Sequence, residues 1–323
     1  MTKADAPAFE STVEVDGQRV FFHSSESMPE LEAGSVDLIV TSPPYWDLKN
    51  YHPDQIGRGT YEEYLEDLGR VWDECYRVAR QNGVLVVNVN SRRVAGKLYP
   101  IAMDLYARMR GWELLQHLIW YIPNALPQPS SYIGRLHDHK FEDVLVFAKG
   151  RDYKFNKPRV PQKYRVRDPR DHKRDPAGRS VGDVLRIPAY RPPTVRKMNY
   201  HVAAFPEELV HFFVYTHTDP GDLVLDPFLG SGTTLKVARV CGRRGVGYEV
   251  NPGYADLVAD RIRESWTPSS FEEIDVIASS TADPDDRRTR RRPRFDYRRG
   301  DDSAGNRTAA EVGDEPEAQP PEP

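Results

Sequence analysis

The sequence predicts an α/β fold in which strands and helices alternate around a mostly parallel, doubly wound sheet. Three observations lead to this prediction: seven short apolar runs of strand length, amphipathic segments of helix length between several of them, and a chain of 323 residues that is 39% hydrophobic. A chain of this size can bury a core without disulfides or metals. It is therefore expected to form one large domain or two modest ones.

The strand candidates are short apolar runs that end at turn residues. They cover residues 20–23, 36–41, 84–89, 118–122, 143–147, 223–226 and 246–250. The clearest helix candidate covers residues 61–80, because apolar side chains recur there at intervals of three or four on one stripe. These side chains are Tyr64, Leu65, Leu68, Val71, Trp72, Cys75 and Val78. Further helices are predicted over residues 98–110, 206–215, 233–241 and 252–265.

The net charge of −4 conceals a strong segregation of charge along the chain. Residues 151–197 contain 15 lysines and arginines against five aspartates, together with many prolines and aromatic residues. The stretch lacks a sustained helical period, which indicates an inserted loop-rich module; a solvated linker is the alternative. After Trp266 apolar residues become sparse, so residues 267–323 are predicted to be disordered. The arginine-rich run 287–299 in this tail is either a nonspecific nucleic-acid arm or simply solvated.

Four segments follow from these changes in composition. They are residues 1–149, the module 150–199, residues 200–266 and the tail 267–323. The two cysteines, Cys75 and Cys241, lack the spacing of a disulfide framework or a zinc knuckle. No run approaches the roughly 18 apolar residues that span a bilayer, and no signal-peptide core is visible. A cytoplasmic location is expected.

The segment LVLDPFLGSGTT predicts a strand, a tight glycine turn and a helix. Asp226 ends the strand, while Gly230 and Gly232 allow backbone amides to approach an anionic group at the helix N-terminus. A phosphate loop would need a lysine after Gly232, and the dinucleotide fingerprint would need a glycine at Leu235. Glu249 ends the next strand, where a carboxylate can accept both hydroxyls of a ribose. A nucleoside ligand that carries a carboxylate fits these features; ordinary turn glycines and a surface acid are the alternative.

The segment VDLIVTSPPYW runs from a buried strand directly into two prolines and two aromatic residues. Pro43 and Pro44 remove backbone donors and stiffen the chain, so the nearby carbonyls remain available as acceptors. Tyr45 can stack on a flat base. An exocyclic amino group suits such a turn, although a rigid turn beside a core aromatic is the simpler alternative.

TSPPYW and DPFLGSGTT, in this order, resemble the motifs of the amino-methylating DNA methyltransferases in their permuted arrangement. ARQNGVLVVNV, KFEDVLVFAKG and HVAAFPEELVHFFVYTHTDPGDLVLDPF resemble neighbouring parts of that family over residues 20–265. The resemblance implies a seven-stranded methyltransferase sheet that binds S-adenosylmethionine, with the catalytic half in 1–149, a target-recognition module in 150–199 and the cofactor-binding half in 200–266.

The resemblance also implies roles for individual residues. Ser42, Pro43, Pro44 and Tyr45 match the catalytic motif, and the cofactor-binding positions are Asp226, Phe228, Gly230, Gly232, Thr233, Glu249, Phe205 and Pro206. A serine at the first catalytic position is more typical of N4-cytosine enzymes than of N6-adenine enzymes. The chain departs from the family at His23, Ser24 and Ser25, where many relatives carry Gly-Asp; the role of that acid is either vacant or taken by a serine hydroxyl or by Glu26.

These matches predict a DNA methyltransferase that acts on a base flipped out of double-stranded DNA, with a restriction endonuclease as a candidate partner and a nucleoid-associated, cytoplasmic location. The basic module is expected to contact phosphates, so that binding weakens as salt rises. Direct transfer to nitrogen requires no cysteine nucleophile. No metal site is expected, because His137, Asp138, His139 and His201 lack ligand-like spacing. N6-adenine or RNA methylation, a DNA-binding protein without catalysis and a nicotinamide-dependent oxidoreductase are the alternatives.

Overall fold

The computed structural model describes residues 12–46, 56–57, 59–127, 134–160, 178–189 and 205–275. The strands are β1 (Thr12–Val15), β2 (Gln18–Phe21), β3 (Val36–Thr41), β4 (Ala79–Val89), β5 (Arg92–Val94), β6 (Lys97–Tyr99), β7 (Glu113–Tyr121), β8 (Phe141–Ala148), β9 (Arg159–Val160), β10 (Arg179–Ser180), β11 (Val184–Arg186), β12 (Leu223–Asp226) and β13 (Arg244–Tyr248). The helices are α1 (Tyr61–Val78), α2 (Ile101–Tyr106), α3 (Glu207–His217), α4 (Thr233–Val240), α5 (Ala255–Arg263) and α6 (Phe271–Ile274), with a 3₁₀ turn at Pro252–Tyr254.

Nine of these strands form one sheet in the order β1-β2-β13-β12-β3-β4-β8-β7-β11. Within it, β1 and β8 run opposite to the other seven strands. The chain proceeds from β3 outward to β4, and from β12 outward to β13 in the other direction. The junction of β3 and β12 is therefore a topological switch point, and ligands bind beyond the carboxyl ends of the strands at such a point.

The predicted α/β class with a mostly parallel sheet is confirmed. The seven strand candidates correspond to β2, β3, β4, β7, β8, β12 and β13. Two short strands extend the sheet beyond the predicted seven, β1 at one edge and β11 at the other. The helix predicted over 98–110 is shorter than expected, because residues 97–99 pair with 92–94 in a hairpin before α2 begins.

The described parts of the basic module and of the tail contribute to the main body of the protein. β11, within the predicted module, pairs in parallel with β7, and Leu185 is fully buried. The predicted disordered tail begins with α6, whose Ile274 is buried, and Asp275 forms a bridge with Leu185. These apolar residues cover the sheet edge at β11, which explains why their structure differs from the prediction. Residues 161–177, 190–204 and 276–323 lie outside the described residues.

Helices cover both faces of the sheet. The apolar stripe of α1 packs on one face, together with Ile101 and Leu105 of α2. Residues of α3 and α4 pack on the other face against alternating side chains of β3, β4 and β8. Thr60 is the N-cap residue of α1 and forms a capping box with Glu63. No helix in the described ranges has the length and apolarity needed to cross a membrane.

Candidate active site

The two motif turns lie side by side at the carboxyl ends of two neighbouring strands in the middle of the sheet. β3 ends at Thr41 and β12 ends at Asp226, and the two strands are paired neighbours. The Thr41 hydroxyl donates to Asp226 Oδ1 at 2.7 Å. The proline turn that follows Thr41 and the glycine turn that follows Asp226 therefore open toward the same side of the sheet.

Asp226 holds this arrangement from within the protein, since only 1% of its surface is exposed. Besides Thr41, its carboxylate accepts the Phe228 amide at 3.0 Å and the Thr234 hydroxyl at 2.6 Å. Burial raises the pKa of Asp226 to about 6, although the three hydrogen bonds oppose this shift. The carboxylate thus joins the catalytic strand to the glycine turn and to α4.

The glycine turn adopts a backbone that favours glycine. Gly230 and Gly232 have φ angles of 54° and 91°, in the left-handed region. Gly232 is the N-cap residue of α4, and no described side chain caps this helix end. The first-turn amide groups of α4 therefore lack the usual Ser, Thr, Asp or Asn cap and suit a ligand carboxylate. Thr233 is buried at the start of the same helix.

Glu249 lies one residue beyond β13 and bridges two loops. Its Oε2 accepts the Gly230 amide at 2.9 Å, and its Oε1 accepts the Asn251 amide at 2.9 Å. Burial raises the pKa of Glu249 to about 7; hydrogen bonds from Asn251 and Gly230 oppose the shift, and the charge of Asp226 adds to it. A half-buried carboxylate thus faces the glycine turn from the neighbouring strand.

A buried ion network, which the sequence did not indicate, fixes the start of α3 beside this turn. Glu207 Oε1 accepts from Lys236 of α4 and from Arg261 of α5, both at 2.9 Å. Glu264 Oε2 accepts from Lys236 at 2.9 Å and pairs with Arg261 as well. Burial tends to raise the pKa of Glu207, but hydrogen bonds and charges of Lys236 and Arg261 outweigh it and lower that pKa.

The ion network positions two predicted cofactor residues. Pro206, directly before α3, is buried, and Phe205 packs against the apolar cluster on the α3 side of the sheet. Phe228, in the glycine turn, packs against the cluster on the opposite side, edge-on to Trp72 with ring centroids 6.1 Å apart. Six of the eight predicted cofactor residues thus lie at the ends of β12 and β13 and at the start of α4, and the other two, Phe205 and Pro206, lie directly before α3.

The proline turn occupies the next position along these strand ends. Pro43 is buried, whereas Ser42, Pro44 and Tyr45 are half-buried. The Tyr45 hydroxyl donates to Glu142 Oε2 of β8 at 2.8 Å, and Asn88 Nδ2 of β4 donates to the same oxygen at 2.7 Å. Glu142 and Asn88 were missed in the sequence. Their signal is a polar residue within a strand that is otherwise apolar on the same face.

The two cysteines and Glu26 take no part in the hydrogen bonds described for the two motif turns. Cys75 is fully buried in α1, and burial raises the pKa values of both Cys75 and Cys241. A neutral buried thiol is a poor nucleophile. Glu26, suggested as a replacement acid, pairs with Arg70 of α1 at 2.6 Å and accepts from Ser24 at 3.1 Å.

The histidines considered as metal ligands do not form a cluster in the described part of the chain, where no group of three or more candidate ligand side chains lies within reach of one ion. His139 Nε2 instead contacts Asn90 Oδ1 at 2.8 Å. His201 lies outside the described residues.

Comparisons with known proteins agree with this geometry. A model of N6/N4 methyltransferases, described as DNA methylase, matches residues 36–260. The type II methyltransferase M.XycI of Xanthomonas campestris pv. cyanopsidis is 31% identical over 266 residues, which cover 72% of this chain and 83% of that protein. M.MthZI of Methanothermobacter thermautotrophicus, another type II methyltransferase, is 28% identical over 286 residues, covering 76% and 77%.

Two solved structures share the fold. TTHA0409 of Thermus thermophilus, described as a DNA modification methylase and complexed with S-adenosyl-L-methionine, is 30% identical with a TM-score of 0.53, covering 76% of this chain and 93% of that one. The PvuII DNA methyltransferase, described as cytosine-N4-specific, is 21% identical with a TM-score of 0.61, covering 82% and 92%. At this identity the second likeness concerns the fold alone.

Proposed function

Since the chain belongs to the N6/N4 family of DNA methylases, we propose that it methylates the N4 amino group of cytosine in double-stranded DNA. Its reaction is methylation of an exocyclic amino group in DNA, and its cofactor is S-adenosylmethionine. The observation that carries the cytosine proposal is the serine at the start of the proline turn (residues 42–45), beside the end of β12. Ser42 presents a neutral hydroxyl where N6-adenine relatives usually have an aspartate.

The residues at the ends of β12 and β13 fit the cofactor by their chemistry. When bound, the cofactor supplies the methyl group that is transferred. Glu249 offers acceptors for two ribose hydroxyls, and the uncapped amides of α4, with Gly232 and Thr233, offer donors for a carboxylate. Phe205, Pro206 and Phe228 supply apolar walls. We assign Gly230 and Asp226 to holding the turn, because their polar groups are already bonded to Glu249 and to Thr41.

The proline turn is proposed to bind the target base. In the proposed complex the base lies outside the duplex, since the turn is recessed at the strand end and Pro43 is buried. The amino group donates to the Ser42 hydroxyl and to the Pro43 carbonyl, while Tyr45 stacks on the ring. Two acceptors on the amino protons leave electron density on nitrogen for in-line attack, and fixed positions lower the barrier further.

DNA contacts outside the pocket are assigned to the basic module 150–199, whose positive charge suits phosphates.

Because several relatives carry the name type II methyltransferase, we propose that the chain protects the site of a restriction endonuclease. One relative, M.BamHII of Bacillus amyloliquefaciens, is instead named an orphan methyltransferase. An endonuclease of the source organism that cuts the unmethylated site but not the site methylated by this chain would support protection, and the lack of such an activity there would support the orphan arrangement.

Identification of the modified nucleoside tests the cytosine proposal. The full chain is incubated with methyl-labelled S-adenosylmethionine and unmethylated DNA, and in a parallel reaction with RNA, and the digested nucleosides are separated and identified by mass spectrometry. We expect N4-methyldeoxycytidine, distinguished by retention from its C5 isomer. N6-methyldeoxyadenosine would overturn the base assignment but retain the reaction class, whereas label confined to RNA would overturn the DNA substrate.

Affinity for the cofactor should fall when the pH drops below about 7. Glu249 is the proposed acceptor for ribose hydroxyls, and its pKa in the free protein is about 7. Binding then favours the ionised carboxylate, so below this pKa a proton must be released, and Kd rises by up to about tenfold per pH unit. Calorimetry in two buffers of different ionisation enthalpy measures the proton release. Glu249→Gln should bind weakly without this pH dependence; an unchanged dependence in that variant would contradict the assignment.

A further inference from the structure

A row of polar side chains crosses three strands beneath the proposed base pocket. Ser42 follows β3, Asn88 lies in β4 and Glu142 lies in β8, where Asn88 pairs with Val144. Val86 and Val144, each two residues from Asn88 or Glu142 in its own strand, pack in the same apolar cluster. Because side chains alternate along a strand, Asn88 and Glu142 face the same side of the sheet.

The hydrogen bonds from Ser42 through Tyr45 to Glu142 run in one direction. The single proton of Tyr45 is directed to Glu142 Oε2 at 2.8 Å. The contact of 3.4 Å between Ser42 Oγ and the Tyr45 oxygen must therefore use the Ser42 proton. Asn88 Nδ2 donates to one lone pair of Ser42 Oγ over a long contact of 3.5 Å, and the second lone pair accepts a proton of the target amino group. Such catalytic contacts are often long in the free enzyme and shorten when substrate binds.

The environment of Glu142 suits a proton acceptor. Burial raises the pKa of Glu142 above its ordinary value, although hydrogen bonds from Asn88 and Tyr45 oppose this shift. Burial, and then the charge of Glu142, raise the pKa of Tyr45 well above its usual range, so that Tyr45 keeps its proton at rest. Among the described residues, the other titratable groups that act on Glu142 or Tyr45 are His139, next to Asn90, and Tyr64 of α1.

We infer that Glu142 is the terminal proton acceptor of the methylation, reached through Ser42 and Tyr45; this inference rests on the proposed function. When the amino nitrogen forms its bond to the methyl carbon, it becomes cationic and holds one proton too many. That N–H bond breaks and its proton passes to Ser42 Oγ. The Ser42 proton passes to the Tyr45 oxygen, and the Tyr45 proton passes to Glu142 Oε2. The base, Ser42 and Tyr45 end neutral, and Glu142 ends protonated and releases its proton to solvent after the product leaves.

Glu142→Gln separates proton acceptance from hydrogen-bond acceptance. The glutamine carbonyl can still accept from Tyr45 and Asn88, but it takes up no proton. We expect the single-turnover rate of methylation, at saturating DNA and cofactor, to fall about 10²-fold or more, as is typical for loss of a general base. Binding of DNA and of S-adenosylmethionine should change by less than about twofold. Asp143→Asn is the matched control, because Asp143 is the next residue of β8 and bonds His117.

Rescue of Glu142→Ala distinguishes a proton acceptor from a residue that only positions Tyr45. Formate and formamide both fit the space of the missing carboxyl group and both accept hydrogen bonds, but only formate takes up a proton. We expect formate to raise the single-turnover rate in proportion to its concentration and formamide to leave it unchanged. Equal rescue by both, or a Glu142→Gln rate equal to that of the wild type, would overturn the inference. A wild-type chain that methylates no DNA would overturn the proposed function instead.

Discussion

Simultaneous replacement of Ser42 and Tyr45 by alanine is expected to lower the single-turnover rate of DNA methylation by more than about 10³-fold. Loss of a positioned hydrogen-bond partner for the reacting group costs about 10²- to 10³-fold, and loss of a stacking aromatic costs about 1–3 kcal/mol per base. The proposed cofactor site lies on β12, β13 and α4, outside the proline turn, so affinity for S-adenosylmethionine should remain. Rapid-quench assays with labelled cofactor measure the rate, and calorimetry measures the affinity.

The control for this double variant is Ser35→Ala with Tyr215→Ala. Ser35 directly precedes β3, at the end of that strand opposite the site, and Tyr215 lies in the last turns of α3. Both changes remove the same atoms without touching the proline turn, so the rate should stay near that of the wild type. A wild-type rate of methylation by Ser42→Ala/Tyr45→Ala would show that the proline turn is not the site of methylation.

Glu207→Gln is expected to lower the free energy of unfolding by about 3–5 kcal/mol, the usual cost of removing one partner from a buried ion pair. Lys236 and Arg261 are 4% and 1% exposed at their side chains, and they would share only Glu264. Urea unfolding followed by circular dichroism measures the difference. Glu207 is the first residue of α3 and directly follows Phe205 and Pro206, which are proposed to line the cofactor site. Affinity for the cofactor should therefore fall as well.

The neighbouring change Glu208→Gln is the matched control. Glu208 lies in the same turn of α3 but is half-buried, with a long contact of 3.5 Å to Ser269, so its loss should change stability by less than about 0.5 kcal/mol. The folded pKa of Glu207 is lowered. Its contribution is therefore fully present above the unfolded pKa of about 4.3 and is lost as pH falls through the folded pKa. Equal stability of Glu207→Gln and wild type at pH 7 would contradict the role of the network.

The fold could be predicted from local patterns because each pattern was complete within a short segment. The stripe of α1 and the apolar runs of β3, β4, β12 and β13 each show their own period. Short or irregular elements carried no such signal: the three residues of β11 and the four of α6 are held by contacts with distant parts of the chain. The antiparallel direction of β8 likewise depends on its pairing with β4 and β7 and not on its composition.

The sequence by itself determined the two motif turns, since the prolines, glycines and the serine act through their own backbone and side-chain chemistry. Only the tertiary structure decided which side chains meet them. Glu142 is 97 residues from Tyr45 along the chain, and Glu207 is 29 residues from Lys236 and 54 from Arg261. A buried carboxylate is stable only when distant strands and helices bring donors to it, and a sequence read locally contains no measure of that distance.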